Sequence, residues 1–392
     1  MKDVFILGGA RTPMAEYAGV FHDLSDSDLG SLAAKAAFER SGVAADEIDH
    51  TIIGNAIQTS KGAIYGARHV ALKAGVPVDR PALTVNRLCG SGIQSIISGA
   101  QLIQLEEAGT VLAGGMESMS QAPHVIRGAR TGFRLGDSNL EDLLMSSLYD
   151  GFCGLFMAQT AEKLARQHDI GREAQDAFAL VSQQRVAAAY AAGRLQEEIV
   201  PVEVKTRKGM LLVEKDDHMR ADTTLEGLAK LRPAFGKDGM VTGGNASGIV
   251  DGGAALVLAG EAYVKAKDKQ PLARIVGWSV AGVSPDIMGI GPVPAIEKLL
   301  QKTGKTLAEI DLVEVNEAFA AQYLAVEKAL GLDREKTNVN GGAIALGHPL
   351  GASGTRLVLT LMHELRRRGQ KLGIASACIG GGQGIAIMIE IV

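Results

Sequence analysis

Short apolar runs broken by glycine alternate along the chain with longer stretches in which apolar residues recur at helical spacing. Four of the runs are too short for long helices and resemble buried, β-branched strands. They are IDHTIIGNAI (48–57), TVLAGGMES (110–118), IDLVEVNE (310–317) and KLGIASACIGGGQGIAIMIEI (371–391). Helical spacing follows Cys89 at Ile93, Ile96, Ile97 and Ala100, and follows Ser353 at Leu357, Val358, Leu361 and Leu365. The pattern predicts an α/β protein in which two helices each begin at a glycine-rich turn.

Two segments of the first half of the chain recur in the second half. EIDHTIIGNAI (47–57) is echoed by EIDLVEVNEAF (309–319), and VNRLCGSG (85–92) is echoed by VNGGAIALGHPLGASG (339–354). The separations are similar, 262 and 254 residues, which favours duplication of one α/β unit. Chance matching of short apolar strings is the alternative.

Residues 121–250 are more polar than the segments on either side. They contain a helical stretch at 172–192 and a hairpin-like section, VKTRKGMLLVEKDDH (204–218). We interpret them as an inserted loop domain that covers one end of the core. The predicted division is an N-terminal half at 1–120, with 251–271 as a candidate to complete it, and a C-terminal half at 272–392.

Composition narrows the classes of function. The 392 residues are 46% hydrophobic, which is enough for a sizeable core, and the net charge of −4 comes without long blocks of one sign. Nucleic-acid binding is therefore not expected. The three cysteines are far apart and odd in number, so they form neither a disulfide framework nor a CxxC metal knuckle, and a reducing compartment fits.

No apolar stretch of the sequence is long enough to cross a bilayer, and the chain starts on a strand-like run, DVFILGGA (3–10). We expect a cytoplasmic protein without membrane insertion; an organellar protein whose leader had been removed would look the same. The sequence has no GxxxxGK[ST] loop, complete GxGxxG fingerprint, HExxH or GxSxG elbow. Metal-dependent, nucleotide-hydrolysing and serine-hydrolase functions are disfavoured accordingly.

Cys89 and His348 are the first candidates for chemistry, because each lies among glycines at the predicted amino end of a helix. Unpaired N–H groups and the helix dipole there favour an anion, so we expect a lowered pKa for Cys89 and a nucleophilic role. A buried structural cysteine is the alternative. A neutral imidazole of His348 near Cys89 could take its proton.

Three further residues lie where strands are predicted to end. Cys378 in SACIGGGQG (376–384) is either a packed core cysteine or the neighbour of an anion-binding nest formed by the glycine N–H groups. Asn316 and Glu317 follow DLVEV, at the carboxyl end of a strand, where open α/β sheets keep their ligands. A helix cap is an equally good interpretation of Asn316.

The blocks CGSG (89–92), NEAF (316–319), GHP (347–349) and CIGGG (378–382) together resemble the four site blocks of the thiolases. Thiolases are acyl-CoA acyltransferases that form or break a carbon–carbon bond beside a thioester. The resemblance covers essentially the whole chain. It implies the thiolase-like five-layered α-β-α-β-α fold, built from two duplicated βαβαβαββ halves and an inserted loop domain. It also implies an enzyme without a metal or redox cofactor, since coenzyme A is a substrate.

The resemblance assigns a role to each catalytic candidate. Cys89 would accept the acyl group, His348 would be the base that activates it, and Cys378 would be the second acid and base. Asn316 would hold a water that forms one oxyanion hole with His348. The backbone N–H groups of Cys89 and Gly380 would form the other oxyanion hole.

Contacts for coenzyme A are implied in the loop domain and at the thioester end. They are Leu148, Met157, Arg220, Phe235, Ser247, Ala318 and Phe319. A solvated surface arginine is the alternative for Arg220. Residues 120–137 match a region that some thiolases use in tetramers, so we expect a homodimer or homotetramer.

Segments such as AIYGARHV (63–70) and MESMSQAPHVIRGAR (116–130) look most similar to the mitochondrial type of 3-ketoacyl-CoA thiolase, which acts in fatty-acid β-oxidation. Phe156 stands where many biosynthetic acetoacetyl-CoA thiolases carry histidine, and its apolar ring would suit an acyl chain. We therefore expect reversible thiolysis of 3-oxoacyl-CoA chains beyond the acetoacetyl length. The alternatives are a biosynthetic acetyl-CoA C-acetyltransferase, a β-ketoacyl synthase-like condensing enzyme and a noncatalytic acyl-CoA carrier.

Overall fold

A computed structural model describes residues 2–392 of the chain. Within that range the strands are β1 (Val4–Arg11), β2 (Ala15–Glu16), β3 (His50–Gly54), β4 (Ala82–Val85), β5 (Thr110–Glu117), β6 (His124–Ile126), β7 (Leu140–Asp142), β8 (Tyr149–Asp150), β9 (Leu155–Phe156), β10 (Val202–Thr206), β11 (Gly209–Val213), β12 (Val250–Gly260), β13 (Ala273–Gly282), β14 (Leu312–Val315), β15 (Leu372–Ile379) and β16 (Gln383–Ile391). The α-helices are α1 (Asp26–Ser41), α2 (Gly66–Ala74), α3 (Ser91–Gln104), α4 (Leu143–Ser147), α5 (Met157–Gln167), α6 (Arg172–Ala191), α7 (Leu225–Ala229), α8 (Glu261–Ala266), α9 (Pro292–Thr303), α10 (Ala320–Leu330), α11 (Ala343–Leu346) and α12 (Leu350–Arg368). None of these helices is long and apolar enough to span a membrane.

The long strands form two sets with the same connectivity. The first set has the order β1-β12-β5-β3-β4, and the second has the order β13-β16-β15-β14. In each set the first two pairings are antiparallel and the third is parallel. Thr337 makes an isolated parallel bridge to Val313 of β14, in the place that β4 takes beside β3. The repeated strand order confirms the predicted α/β fold with two similar halves.

Helices and strand sets alternate in five layers. Helices α3 and α12 lie between the two sets, since each packs against strands of both. The residues predicted to recur at helical spacing on these two helices are all buried in the central hydrophobic core. Helices α1 and α2 cover the outer face of the first set, and α9 and α10 cover the outer face of the second. A short antiparallel pairing of β1 with β13 joins the sets at one edge.

Glycines allow the two central helices to cross at very short range. A Cβ on Gly92 would lie 2.4 Å from the backbone nitrogen of Thr355, and a Cβ on Gly354 would lie 2.4 Å from that of Ile93. Real Cβ atoms essentially never come within 3.0 Å of another heavy atom in this way, so only glycine fits. The crossing brings the start of α3 next to the start of α12, and with them the CGSG and GHP blocks.

The chain between β5 and β12 lies outside the large sheet and forms helices α4 to α7 and three two-stranded ribbons. Helix α6 occupies the stretch predicted to be helical, and β10 with β11 forms the predicted hairpin. Helices α5 and α6 pack on α10. These two helices therefore lie against the C-terminal half, whereas Val202 and Val204 of β10 pack with Leu29 of α1 in the N-terminal half. The domain boundaries drawn from the sequence stay predictions.

Candidate active site

Cys89 lies in a tight turn where β4 has ended and α3 begins. Leu88, which opens the 3-10 turn Leu88–Gly90, has a φ of 47°, in the left-handed region that a leucine rarely adopts. Side chains on either side fix this conformation. Asn86 Oδ1 accepts the Leu88 N–H at 2.9 Å, and Ser91 Oγ donates to the Leu88 carbonyl at 2.7 Å.

Cys378 comes from the other strand set, at the end of β15, and is fully buried. The chain turns back through Gly381 and Gly382, whose φ values of 77° and 82° favour glycine. Gly380, between the cysteine and this turn, directs its N–H at the Cys89 sulfur and forms a hydrogen bond that lowers the pKa of Cys89. Segments from both halves of the molecule therefore meet at one thiol.

Burial controls the acidity of both thiols. It raises the pKa of Cys89 to about 11, although the N–H groups of Gly380 and of Cys89 itself act in the opposite direction. Burial, followed by the effect of Cys89, raises the pKa of Cys378 as well. The expectation of a lowered pKa for Cys89 is therefore wrong, because desolvation outweighs the backbone donors. At neutral pH the thiol is protonated and must lose its proton as it attacks.

His348 lies between the short helix α11 and α12, next to Pro349, the N-cap of α12. Its Nδ1 lies 2.5 Å from Ser353 Oγ, and this hydroxyl donates to the Pro349 carbonyl at 3.0 Å. Since the Ser353 proton is used on Pro349, Nδ1 carries the imidazole proton and Nε2 carries the lone pair. Burial lowers the pKa of His348 to about 3. The ring is therefore a neutral base with Nε2 as its accepting atom.

Asn316 and Glu317 follow β14 and have separate tasks. Asn316 Nδ2 donates to His348 Nε2 at 3.2 Å, while its buried Oδ1 has no hydrogen-bond partner among the described residues. Helix α10 begins only at Ala320, so Asn316 is not its cap. Glu317 accepts hydrogen bonds from Ser182 Oγ at 2.6 Å and Asn338 Nδ2 at 3.0 Å. Asn316 therefore contacts His348, and Glu317 holds the segments around it, while the catalytic role of Asn316 stays a prediction.

Glu117, which sequence reasoning missed, ties the first strand set to the start of α12. Its carboxylate accepts the N–H groups of Ile57 at 2.9 Å and Gly351 at 2.8 Å, and the side-chain amide of Asn55 at 2.9 Å. Burial raises the pKa of Glu117 to about 8. A Cβ on Gly115 would lie 1.8 Å from the Gly351 carbonyl oxygen, so the backbones touch here. The signal in the sequence that could have identified Glu117 is its position as an acidic residue in the apolar run TVLAGGMES.

Cys89 and His348 line one cavity of about 240 Å³. Six of the seven residues predicted to contact coenzyme A share it, namely Leu148, Met157, Phe235, Ser247, Ala318 and Phe319. Sequence reasoning missed other wall residues, namely Met119, Met145, Ala158, Ala246, Gly248, Ile249, Met288 and Leu350. These come from separate segments that only the fold brings together. No group of three His, Cys, Asp or Glu side chains within residues 2–392 is arranged to hold a metal ion.

The wall of this cavity that contains Phe156 is aromatic. The Phe156 ring stacks on Phe235 with centroids 5.2 Å apart and meets Tyr149 edge-on at 5.0 Å. Cys378 lies behind another part of the wall, packed against Met288 and Ala318. The cavity is therefore mostly apolar.

Arg220 is the predicted contact that the structure does not bring to the Cys89 cavity. It lines a separate surface depression together with His218 and Gly243. Its guanidinium pairs with Glu16 and donates to the Asp217 carbonyl at 3.0 Å. Its predicted contact with coenzyme A thus depends on whether a ligand spans both depressions.

Two family models match nearly the whole chain. The model of the thiolase N-terminal domain matches residues 4–262, and the model of the thiolase C-terminal domain matches residues 269–391. The chain is 56% identical to the mitochondrial 3-ketoacyl-CoA thiolase of Homo sapiens over 391 residues, which cover 100% of this chain and 98% of the relative. It is 49% identical to an acetyl-CoA acetyltransferase of Rhizobium meliloti (strain 1021) over 388 residues, covering 99% and 98% of the two chains.

A solved structure shows the same fold. The crystal structure of human mitochondrial 3-ketoacyl-CoA thiolase in complex with CoA is similar to this chain with a TM-score of 0.97 at 55% sequence identity, covering 100% of this chain and 98% of that one. The family resemblance carried by the four sequence blocks is confirmed, and the chain belongs to the thiolase family.

Proposed function

We propose that this thiolase catalyses the reversible, coenzyme A-dependent thiolysis of 3-oxoacyl-CoA to acetyl-CoA and a shortened acyl-CoA. The main support is one apolar cavity that is lined by Cys89 and the neutral His348. The Gly380 N–H points at the Cys89 sulfur, and Cys378 lies directly behind the cavity wall. The names of the relatives, 3-ketoacyl-CoA thiolase and acetyl-CoA acetyltransferase, agree with this chemistry. The reaction needs no resident metal or redox cofactor, since coenzyme A is a substrate.

In the first half-reaction the Cys89 sulfur attacks the 3-oxo carbonyl while its proton passes to His348 Nε2. Collapse of the resulting oxyanion breaks the bond between C2 and C3 of the substrate. The acyl group stays on Cys89 as a thioester. The electron pair of the broken bond leaves as the enolate of acetyl-CoA, which takes the proton of Cys378.

In the second half-reaction the thiol of coenzyme A attacks the acyl group on Cys89 and gives its proton to the Cys378 thiolate. The Cys89 sulfur leaves and recovers the proton held by His348. Oxyanions form at the thioester carbonyls and at the 3-oxo carbonyl, so two sets of fixed donors are needed, each contributing about 3 kcal/mol. A water held by Asn316 would form one set with His348, and the N–H groups of Cys89 and Gly380 would form the other.

We propose substrates longer than acetoacetyl-CoA and the degradative direction, fatty-acid β-oxidation. The support is the stacked pair of Phe156 and Phe235, both of which line the cavity and offer apolar surface to an acyl chain. Biosynthetic acetyl-CoA C-acetyltransferase is the second candidate, favoured by the acetyltransferase relative at 49% identity. The test is kcat/KM in thiolysis for acetoacetyl-CoA and for 3-oxohexanoyl-CoA. We expect a higher value for the longer substrate, and activity confined to acetoacetyl-CoA would overturn the proposal.

Coenzyme A would extend from Cys89 past Ser247 and Phe235 to the depression at Arg220. The two depressions flank the same stretch of chain, residues 231–247, and the Ser247 N–H is held by the Ala318 carbonyl at 3.0 Å. Phosphates bound there would compete with Glu16 for the Arg220 guanidinium. Arg220→Ala should then raise KM for coenzyme A with little change in kcat. Thiolysis with pantetheine, which lacks the nucleotide, should be insensitive to Arg220→Ala, and an equal loss with both thiols would contradict this path.

A homodimer or homotetramer is also part of the proposal. Large apolar side chains are exposed between β5 and α5, including Phe133 at 51%, Leu140 at 66% and Phe152 at 89% of their full surface. Exposed side chains of this size are typical of a surface that another protein copy covers. Light scattering should give the mass of two or four chains, and a monomer at micromolar concentration would contradict this assignment.

We propose a cytoplasmic location. The free cysteines Cys89, Cys153 and Cys378 suit a reducing compartment, but the relatives named mitochondrial occupy an organelle. Fractionation of source cells, followed by detection of the protein with an antibody, distinguishes the cytoplasm from an organelle. Recovery with an organelle fraction would overturn the cytoplasmic assignment.

A further inference from the structure

One side chain bridges the two segments that carry the reactive cysteines. Arg87 Nη1 donates to Gln383 Oε1 at 2.8 Å, across 296 residues of chain. Gln383 begins β16, just after the turn that follows Gly380. Arg87 Nε donates to Gln94 Oε1 at 2.8 Å, on the first turn of α3. The guanidinium therefore joins the turn of Cys89 to the hairpin of β15 and β16.

Other contacts between these two segments are apolar or involve the reactive sulfur itself. A Cβ on Gly90 would lie 2.6 Å from Ile379 Cδ1, and a Cβ on Gly380 would lie 3.3 Å from Leu88 Cδ1. Apart from the Gly380 N–H on the Cys89 sulfur, the Arg87 bond is the one side-chain hydrogen bond that the described residues form between 84–92 and 378–384. Apolar contacts limit how close the two segments come but allow them to slide past each other. The hydrogen bonds of the planar guanidinium are directional, so they also fix the position of one segment relative to the other.

The turn of Cys89 also needs support from outside itself. Leu88 is held in its left-handed conformation by Asn86 and Ser91, and both bonds are local. They fix the shape of the turn but not its position relative to the hairpin. The Ser91 hydroxyl also accepts the Arg87 backbone N–H at 2.8 Å. The backbone of Arg87 is therefore part of the Cys89 turn, and the side chain of Arg87 anchors that turn to the hairpin.

We infer that Arg87 is a positioning residue, which holds the Cys89 turn in the register that places the Gly380 N–H on the Cys89 sulfur with Cys378 close by. Arg87 touches none of the reacting atoms and acts through Gln383 and Gln94. The inference rests on the proposed function, because carbon–carbon bond cleavage requires both sulfurs at one substrate. The predicted effect falls on turnover and leaves the affinity for coenzyme A largely unchanged, since the proposed coenzyme A contacts lie on other segments.

The test begins with Arg87→Met, which keeps the length of the stem and removes every donor. We expect kcat for thiolysis to fall by roughly 10- to 100-fold, the size of loss that a displacement of reacting groups causes, with KM for coenzyme A unchanged. Gln383→Leu should cause a similar loss. The double variant should be no slower than the slower single variant, because both remove the same bond. Gln383→Glu keeps an acceptor for Arg87 and should retain most of the wild-type kcat.

Arg68→Met is the matched control, since the Arg68 guanidinium also makes two hydrogen bonds, to the carbonyls of Val78 and Arg80, away from the cavity. Its kcat should equal that of the wild type. Thermal unfolding of each variant separates loss of fold from loss of position, and Gln383→Leu remains informative if Arg87→Met does not fold. Full activity of Gln383→Leu, or additive losses in the double variant, would overturn the inference. A wild-type protein without thiolysis would instead overturn the proposed function.

Discussion

The crossing of α3 and α12 at Gly92 and Gly354 allows a sharp test of how the fold builds the site. Gly92 lies three residues after Cys89, and it faces the backbone of Thr355 on the helix that follows His348. Gly92→Ala adds one methyl group at the point where the two helices touch. Because the obstacle is backbone, no side-chain rotation can relieve the clash.

The magnitude follows from the distances. The new Cβ would lie 2.4 Å from the Thr355 nitrogen and 3.0 Å from the Gly351 carbonyl oxygen, whereas ordinary contact begins at 3.4 Å. The helices must therefore move apart by about 1 Å. Overpacking of this kind costs about 1–3 kcal/mol of unfolding free energy, and a displacement of about 1 Å between Cys89 and His348 costs about 100-fold in rate.

The assay compares Gly92→Ala with Gly99→Ala, the same substitution on the same helix. A Cβ on Gly99 would lie 3.0 Å from Leu258 Cδ1 and from Val111 Cγ1. These are side-chain atoms that need to shift by only a few tenths of an ångström, whereas the obstacle at Gly92 is backbone. Thiolysis kcat and denaturant unfolding should show a large loss of activity for Gly92→Ala and little for Gly99→Ala. A wild-type kcat for Gly92→Ala would refute the reasoning that this crossing sets the distance between the thiol and the imidazole.

Three further predictions follow from the site. Since burial raises the pKa of Cys89 to about 11, its alkylation by iodoacetamide should accelerate about tenfold per pH unit from pH 7 to 9, and a plateau below pH 8 would contradict this. Phe156→His should lower kcat/KM for 3-oxohexanoyl-CoA more than for acetoacetyl-CoA, and equal changes would remove Phe156 from the acyl wall. Ser353→Ala should leave the proton on Nδ1 of His348 unpaired, at a cost of about 1–3 kcal/mol, measured as slower thiolysis and easier unfolding; unchanged values would show that Ser353 does not fix the ring.

The sequence was most informative where local pattern and local chemistry agree. The helical spacing after Cys89 identified α3, and glycine at both helix starts indicated the turns that carry Cys89 and His348. The echo of EIDHTIIGNAI by EIDLVEVNEAF correctly paired β3 with β14. The counterpart of β4 was harder to foresee, because it is reduced to a single bridge at Thr337.

Properties set by distant segments could not be predicted from the sequence. The pKa of Cys89 depends on how deeply several separate segments bury the sulfur, so its local helix start gave the wrong direction. Arg220 has the charge to meet a phosphate, but nothing local shows that it pairs with Glu16 in a separate depression. Glu117 likewise makes sense only once Gly351 lies against it.

The most direct test of the central claim is the location of the acyl group. The wild type, Cys89→Ser and Cys378→Ser are incubated with acetyl-CoA, quenched, digested and analysed by mass spectrometry. We expect one acetyl group on the peptide of Cys89 in the wild type and in Cys378→Ser, and little in Cys89→Ser. Cys378→Ser should also be slow in carbon–carbon bond chemistry, because its acid and base is lost. An acetyl group on Cys378 in place of Cys89 would show that Cys89 is not the nucleophile.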